Sequence, residues 1–144
     1  MSLQAVLLPL FVEVILTFLL LFYLAPMRAR DFKAGIATHD NIALRETNWS
    51  KRSLQVAYSF SNQFELPVLF YVLTILAYVT HLAGLVFVIL AWIFVIFRIL
   101  QAVVHVTSNN VRLRAAFFGI AAIALAINWA IYIFEVLTLP RPVP

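Results

Sequence analysis

Four polar residues recur at helical spacing within an otherwise apolar stretch of the chain. They are Gln55, Tyr58, Asn62 and Glu65, separated by steps of three, four and three residues. These steps place the four side chains on one face of a helix. A carboxylate inside a membrane costs about 3 kcal/mol on insertion scales, so an intramembrane Glu marks a candidate site. We therefore expect this polar face to point into a helix bundle and to meet a partner there.

A second polar face follows later in the chain. Arg98, Gln101 and His105 are separated by steps of three and four, so they also share one side of a helix. At 1.5 Å per residue, Arg98 and Glu65 both lie roughly 15 Å from the same membrane surface. This matching depth predicts a Glu65–Arg98 ion pair. The pair would either belong to a ligand site or act only as a clamp between two helices.

Basic residues accumulate at the same end of the predicted helices. Arg28 and Arg30 follow the first apolar run, and Arg112 and Arg114 precede the last one. Together with the two polar faces, they describe a cavity that is rich in hydrogen-bond donors and positive charge. Arginine forks suit carboxylates, and nearby positive charge lowers the pKa of a thiol. The Phe, Leu and Val walls would admit a second, lipophilic ligand from the membrane.

The composition indicates a polytopic membrane protein. The chain has 144 residues, of which 65% are hydrophobic and 11% charged, and its mean hydropathy is +1.02. Four apolar runs are long enough to cross a bilayer as helices, which takes about 20 residues. The runs are Val6–Ala25, Ser53–Thr80, Leu82–Val106 and Ala115–Leu139. The first run lacks a basic start and a cleavage site, so we interpret it as a retained helix.

Several classes of site and partner are excluded. The chain contains no Cys, so disulfides, thiolate metal ligands and a protein thiol nucleophile are ruled out. His39 and Asp40 lack the companions that a metal site needs, and we predict no metal. The net charge of +4 is explained by membrane topology, and no nucleic-acid partner is expected.

The distribution of Lys and Arg predicts the orientation. The long loop 26–52 contains Arg28, Arg30, Lys33, Arg45, Lys51 and Arg52, whereas the connection between the second and third helices has none. The positive-inside rule places this loop in the cytoplasm and both termini outside. We therefore expect a multi-pass protein of the inner membrane.

Glu13 is the one charged residue within the first apolar run. One interpretation is a structural carboxylate paired with another helix. The alternative is a proton-coupled small-molecule exporter, since small multidrug-resistance transporters are also four-helix proteins with an essential Glu in the first helix.

The chain resembles the membrane-associated proteins in eicosanoid and glutathione metabolism (MAPEG), in the form of a bacterial-type member. The resemblance rests on Asn62-x-x-Glu65 followed closely by Pro67, and on the run RILQAVVHVTSNNVRLR from Arg98 to Arg114. Arg98, His105 and Arg114 fit the family's places. Gln101 stands where a His or Tyr is usual, and Arg28 and Arg30 match the basic end of the first helix.

The resemblance implies an all-α fold: one transmembrane domain over residues 1–144, with helices near 4–25, 53–80, 82–107 and 112–139. The four-helix bundle would assemble as a homotrimer that binds glutathione between protomers. Arg28, Arg30 and His105 would hold the carboxylates and amide of glutathione. Asn62, Glu65 and Arg98 would form a polar floor, with Tyr58 and Gln101 beside it. Arg114 would stabilise the thiolate, and Arg112 is the second candidate for this role.

The implied activity is a glutathione-dependent transferase or peroxidase acting on lipophilic electrophiles. Some positions depart from the family pattern. Characterised transferases carry further Arg residues just before the Asn of the second helix, where this chain has Tyr58 and Ser61. His105 and Phe118 replace Tyr residues. The alternative is therefore a membrane protein of this fold that acts as an accessory or binding subunit without glutathione chemistry.

Overall fold

A computed structural model describes residues 1–43 and 48–138. Within these ranges the chain is all-helical and contains no strand. Four helices are long and apolar enough to cross a membrane, which confirms the predicted fold class. The C-terminal Pro-rich tail and the last residue of the fourth predicted helix lie outside the described residues.

The first helix, α1, runs from Leu3 to Lys33 and begins at Ser2, whose hydroxyl accepts a hydrogen bond from the amide of Ala5. Its 31 residues span roughly 46 Å, more than the hydrocarbon thickness of about 30 Å. The helix continues through Pro26, although the sequence predicted a loop from residue 26. Its last two turns therefore extend the helix past its apolar part, and they carry Arg28 and Arg30.

The second membrane crossing is interrupted. It consists of α2 (Lys51–Ser61), a 3-10 turn (Asn62–Phe64) and α3 (Leu66–Val79). Pro67 explains the interruption, because it has no amide hydrogen and its ring clashes with the carbonyl four residues earlier, that of Gln63. Glu65 lies at the junction with φ −101° and ψ −107°, outside the helical region. The sequence predicted one uninterrupted helix here.

The third and fourth crossings are α4 (Leu85–Val106) and α5 (Val111–Thr138). The turns before and after α4 each contain one residue with positive φ, His81 and Asn109, which is a conformation that His and Asn adopt more readily than most residues. The short turn after α4 brings Arg112 and Arg114 back to the end of the bundle where α4 finishes.

The α4 helix lies at the centre of the bundle and packs against α1, α2 and α5. Its Phe94 stacks on Phe70 of α3, with ring centroids 4.7 Å apart and both rings fully buried. Large apolar side chains such as Phe22 and Leu137 are exposed on the outer surface, as expected for helices that face lipid. This arrangement fixes the polar face of α4 inside the protein.

Candidate functional site

The side chain of Arg98 is the centre of the buried polar cluster. It is 1% exposed, and its Nε lies 3.5 Å from Oε1 of Glu13 on α1. Its Nη2 donates a hydrogen bond of 2.8 Å to the backbone carbonyl of Asn62, and its Nη1 donates to the side-chain oxygen of Gln101. One guanidinium therefore joins α1, the interruption of the second crossing, and α4.

The interruption of the second crossing makes its backbone available to Arg98. In a continuous α-helix the carbonyl of Asn62 would accept from an amide four residues later. The 3-10 turn and the unusual backbone of Glu65 change that pattern. A buried guanidinium requires compensating acceptors, and the Asn62 carbonyl supplies one of them.

The predicted Glu65–Arg98 ion pair is wrong. Within the described residues, the carboxylate within 4 Å of Arg98 is that of Glu13, while Glu65 is exposed. The prediction assumed a regular helix that carries Glu65 on the same face as Asn62. The break at Pro67 removes this regularity, so the Asn62 carbonyl reaches Arg98 and the Glu65 carboxylate does not pair with it.

The polar face of the second crossing also points differently from the prediction. Tyr58 is 49% exposed and Glu65 is exposed, so neither lies inside this chain's own bundle. Asn62 and Gln55 are half-buried. Gln55 Nε2 donates to the backbone carbonyls of His105 at 2.6 Å and Thr107 at 3.3 Å, which ties the start of α2 to the end of α4.

The polar face of α4 is buried as predicted. Arg98, Gln101 and His105 are each less than 5% exposed. The ring of His105 makes no hydrogen bond through Nδ1 to a described residue. Arg98 lies on the same buried face of α4 as this ring, and Arg114 belongs to the first turn of α5, directly after the short turn that follows α4.

The two arginines at the start of α5 differ in their surroundings. Arg114 is half-buried, and its Nη1 donates a 2.7 Å hydrogen bond to the side-chain oxygen of Asn109 in the preceding turn. Arg112 is exposed. The hydrogen bond holds Arg114 beside the end of α4, while Arg112 is free to reach solvent or a neighbouring molecule.

The basic end of α1 lies at the same end of the bundle. Arg28 places its guanidinium carbon 4.8 Å from the centre of the Trp49 ring, a cation–π contact, and Arg30 is exposed. Below them, Leu24 packs with Val56 of α2, and Val106 of α4 packs against the same cluster. The structure thus gathers Arg28, His105 and Arg114 at one end, although Arg28 pairs with Trp49.

Asp31 was not among the site residues predicted from the sequence. Its buried carboxylate accepts hydrogen bonds from the amide and the hydroxyl of Ser50, at 3.1 and 2.8 Å. Ser50 in turn caps α2 by accepting from the amide of Ser53. An acid among basic residues, followed by the helix-start pattern Ser-x-x-Ser, was the available signal. This link fixes the end of α1, and with it Arg28, against the start of α2.

Glu13 is fully buried and paired with Arg98. The predicted pairing of Glu13 with another helix is confirmed. Neither of its oxygens accepts a hydrogen bond from a described residue, so the charge of Arg98 is its main compensation. No group of three or more His, Asp or Glu side chains in the described ranges could hold a metal.

An apolar cavity of about 260 Å³ lies beside the interruption. We call it the Gln63 cavity, and its lining includes Thr17, Phe18, Phe60, Gln63, Phe64 and Tyr71. It lies between α1 and the broken second crossing, next to the buried polar cluster. Its size and lining suit part of a lipophilic molecule.

Comparison with known proteins gives one family. A profile described as the MAPEG family matches residues 6–134, which covers all four membrane crossings. No curated protein and no solved structure matches the chain.

Proposed function

Because the chain belongs to the MAPEG family and is an integral membrane protein, we propose that it is a glutathione-dependent transferase or peroxidase acting on lipophilic electrophiles. The observation that carries this proposal is that Arg98 and His105 are buried on one face of α4 and that the Asn109 hydrogen bond holds Arg114 beside the end of that helix, where Arg28 and Arg112 also lie. Such a donor-rich, positively charged site suits a peptide that has two carboxylates and a thiol.

The residues divide into a framework and a ligand-facing set. The Arg98 guanidinium forms an ion pair with Glu13 and donates hydrogen bonds to the Asn62 carbonyl and to Gln101, so it shapes the polar floor and does not reach for substrate. Arg28, Arg30 and His105 would bind the carboxylates and the amide of glutathione. Tyr58, Asn62 and Glu65 would contact the same ligand from the second crossing, since all three retain accessible surface.

Arg114 would stabilise the thiolate, with Arg112 as the second candidate. The Asn109 hydrogen bond uses Nη1 of Arg114, and its remaining N–H groups can face a sulfur. An Arg stays charged at any working pH, so it favours the thiolate without titrating itself. The thiol proton leaves to solvent, and the thiolate then attacks an electrophile held nearby, forming the new bond to sulfur as the leaving group departs.

A neighbouring protomer would complete the site. Tyr58 and Glu65 are exposed within a membrane-crossing segment, and a carboxylate facing lipid is costly. A homotrimer that binds glutathione between protomers would cover this face with protein and substrate. The Gln63 cavity, which the exposed rings of Phe18 and Phe64 line, would receive the lipophilic electrophile.

The test is the thiolate absorbance and conjugation rate of the detergent-purified protein with glutathione across pH. Arg114→Ala should raise the pKa of the bound thiol and depress turnover by about 10²-fold, the typical loss for one charge-stabilising donor. Arg28→Ala should instead weaken glutathione binding and leave the pKa of the bound thiol unchanged. Arg114→Lys keeps the charge but loses the planar fork, so it should recover only part of the rate.

Arg112→Ala separates the two candidates for the thiolate contact. If Arg112→Ala raises the pKa of the bound thiol and Arg114→Ala does not, Arg112 is the residue that stabilises the thiolate. If the wild-type protein shows no thiolate signal at saturating glutathione, the transferase proposal is wrong. The accessory or binding protein without glutathione chemistry then takes its place, in agreement with Tyr58 and Ser61 at positions where transferases carry Arg.

A further inference from the structure

A second cavity lies at the opposite end of the bundle from Arg98 and His105. We call it the Asn128 cavity. It measures about 150 Å³, and its lining includes Gly84, Leu85, Phe87, Asn128, Tyr132 and Glu135. It is bounded by the start of α4 and the last third of α5, about 27 Å along α4 from His105. Neither the family resemblance nor the proposed reaction uses these residues.

Three oxygen acceptors face this cavity from one side of α5. Asn128, Tyr132 and Glu135 follow in steps of four and three, so they lie on one helix face. Asn128 is 2% exposed. Its Nδ2 donates to the carbonyl of Phe87 at 3.3 Å, while its Oδ1 has no hydrogen-bond donor among the described residues.

The other two acceptors are also available. Tyr132 is 9% exposed, and its ring packs edge-to-face against Trp129, which fixes the direction of its hydroxyl. That hydroxyl makes no hydrogen bond to a described residue. The half-buried carboxylate of Glu135 has no basic side chain within 4 Å in the described part of the chain. The three residues line one cavity, so their oxygens are available together to a ligand that enters it.

We propose that the Asn128 cavity binds a primary ammonium group. A primary ammonium has three N–H donors and one positive charge, which match the carboxylate, amide oxygen and hydroxyl that line the cavity. A quaternary ammonium has no N–H donor and is typically bound by stacked aromatic faces. The site should therefore distinguish an ethanolamine headgroup from a choline headgroup.

The surroundings favour an ammonium carried by a phospholipid. The α4 helix begins at Gly84, which supplies no side-chain cap, so its first amides remain available to a phosphate oxygen. Leu85 and Val86 line the same cavity and are 63% and 56% exposed, which offers an apolar surface for acyl chains. A soluble amine would use the same three acceptors but neither of these additional features.

The experiment measures lipid binding to the full-length, delipidated protein in detergent. The probes are dioctanoyl phosphatidylethanolamine, dioctanoyl phosphatidylcholine and free ethanolamine. We expect the ethanolamine lipid to bind about tenfold more tightly than the choline lipid, the size of one lost hydrogen bond to a charged group. Glu135→Gln should abolish this preference, and the matched charge control Asp40→Asn, on the exposed loop after α1, should retain it.

The outcomes separate the two sources of the ammonium group. If free ethanolamine displaces the lipid fully, the ligand is a soluble amine; if it does not, the ligand is the phospholipid. Equal affinity for the two lipids overturns the proposal, as does a folded Glu135→Gln protein that keeps the preference. If Glu135→Gln does not fold, Tyr132→Phe decides, because it removes one acceptor while keeping the ring, and an unchanged preference then refutes the site.

Discussion

At the residue scale, the buried Arg98 guanidinium illustrates which parts of a polar site a sequence can specify. The face of Arg98, Gln101 and His105 was predicted correctly because α4 is regular and the helical period alone determines it. The partner of Arg98 was predicted wrongly. Glu13 and Glu65 both lie within apolar segments, and only the break at Pro67 decides between them. Depth along a helix axis does not specify which way a side chain points.

The ion pair between Glu13 and Arg98 leads to a prediction about stability. Glu13→Gln should lower the free energy of unfolding by about 3–5 kcal/mol, because it leaves a buried guanidinium uncompensated. The double variant Glu13→Gln with Arg98→Met should recover part of this loss. Thermal unfolding in detergent provides the measurement.

Glu65→Gln is the matched control for this pair. Glu65 is exposed, so its substitution should change the stability of an isolated protomer far less than Glu13→Gln. Equal losses for the two single variants would contradict the assignment of Glu13 as the partner of Arg98.

At the element scale, the interrupted second crossing and the polar cluster depend on each other. Pro67 breaks the helix, and Arg98 compensates the break by binding the Asn62 carbonyl. The presence of Pro67 was visible in the sequence, but its effect on the direction of Glu65 was not, because a proline in a membrane helix can produce several geometries. Asp31 was missed for a related reason, since its partner Ser50 lies across a long connection.

The coupling between the break and Arg98 can be measured. Pro67 lies in the first turn of α3, where a proline is tolerated, whereas in a continuous helix it would cost about 3 kcal/mol. Pro67→Ala restores an amide hydrogen and therefore makes a continuous second crossing accessible. In the wild-type background it should nevertheless be neutral or destabilising, because a continuous helix withdraws the Asn62 carbonyl from Arg98. In the Glu13→Gln, Arg98→Met background the same change should stabilise the protein.

The measurement is the shift in thermal midpoint for Pro67→Ala in each background. If the shift in thermal midpoint is negative or zero in the wild-type background and positive in the double variant, the helix break and the Arg98 guanidinium are energetically coupled. Equal shifts in both would mean that the helix break is independent of the guanidinium.

At the scale of the whole molecule, the number of membrane crossings followed from composition and run length, and the structure agrees. The orientation is a prediction that rests on the Lys and Arg of the loop. His39→Cys should resist labelling by an impermeant thiol reagent applied to intact cells, because the loop after α1 is expected in the cytoplasm. The chain has no native Cys, so the label reports one position.

His81→Cys is the matched control for orientation. His81 is exposed in the turn between α3 and α4, on the predicted outer side, and should be labelled from outside. Labelling of position 39 together with protection of position 81 would show that the protein has the opposite orientation.

The contact between the first and third membrane crossings also sets an order of events during synthesis. Glu13 enters the bilayer with α1, whereas Arg98 is translated only after the second crossing and most of α4. At about 5–20 residues per second, Arg98 is synthesised on the order of ten seconds after Glu13. The nascent first helix must tolerate a lone acid in the membrane, and the protein can close around its polar centre only when α4 arrives. The Glu13–Arg98 pair is therefore a late contact, although α1 can already pack against α2 and α3 before α4 is complete.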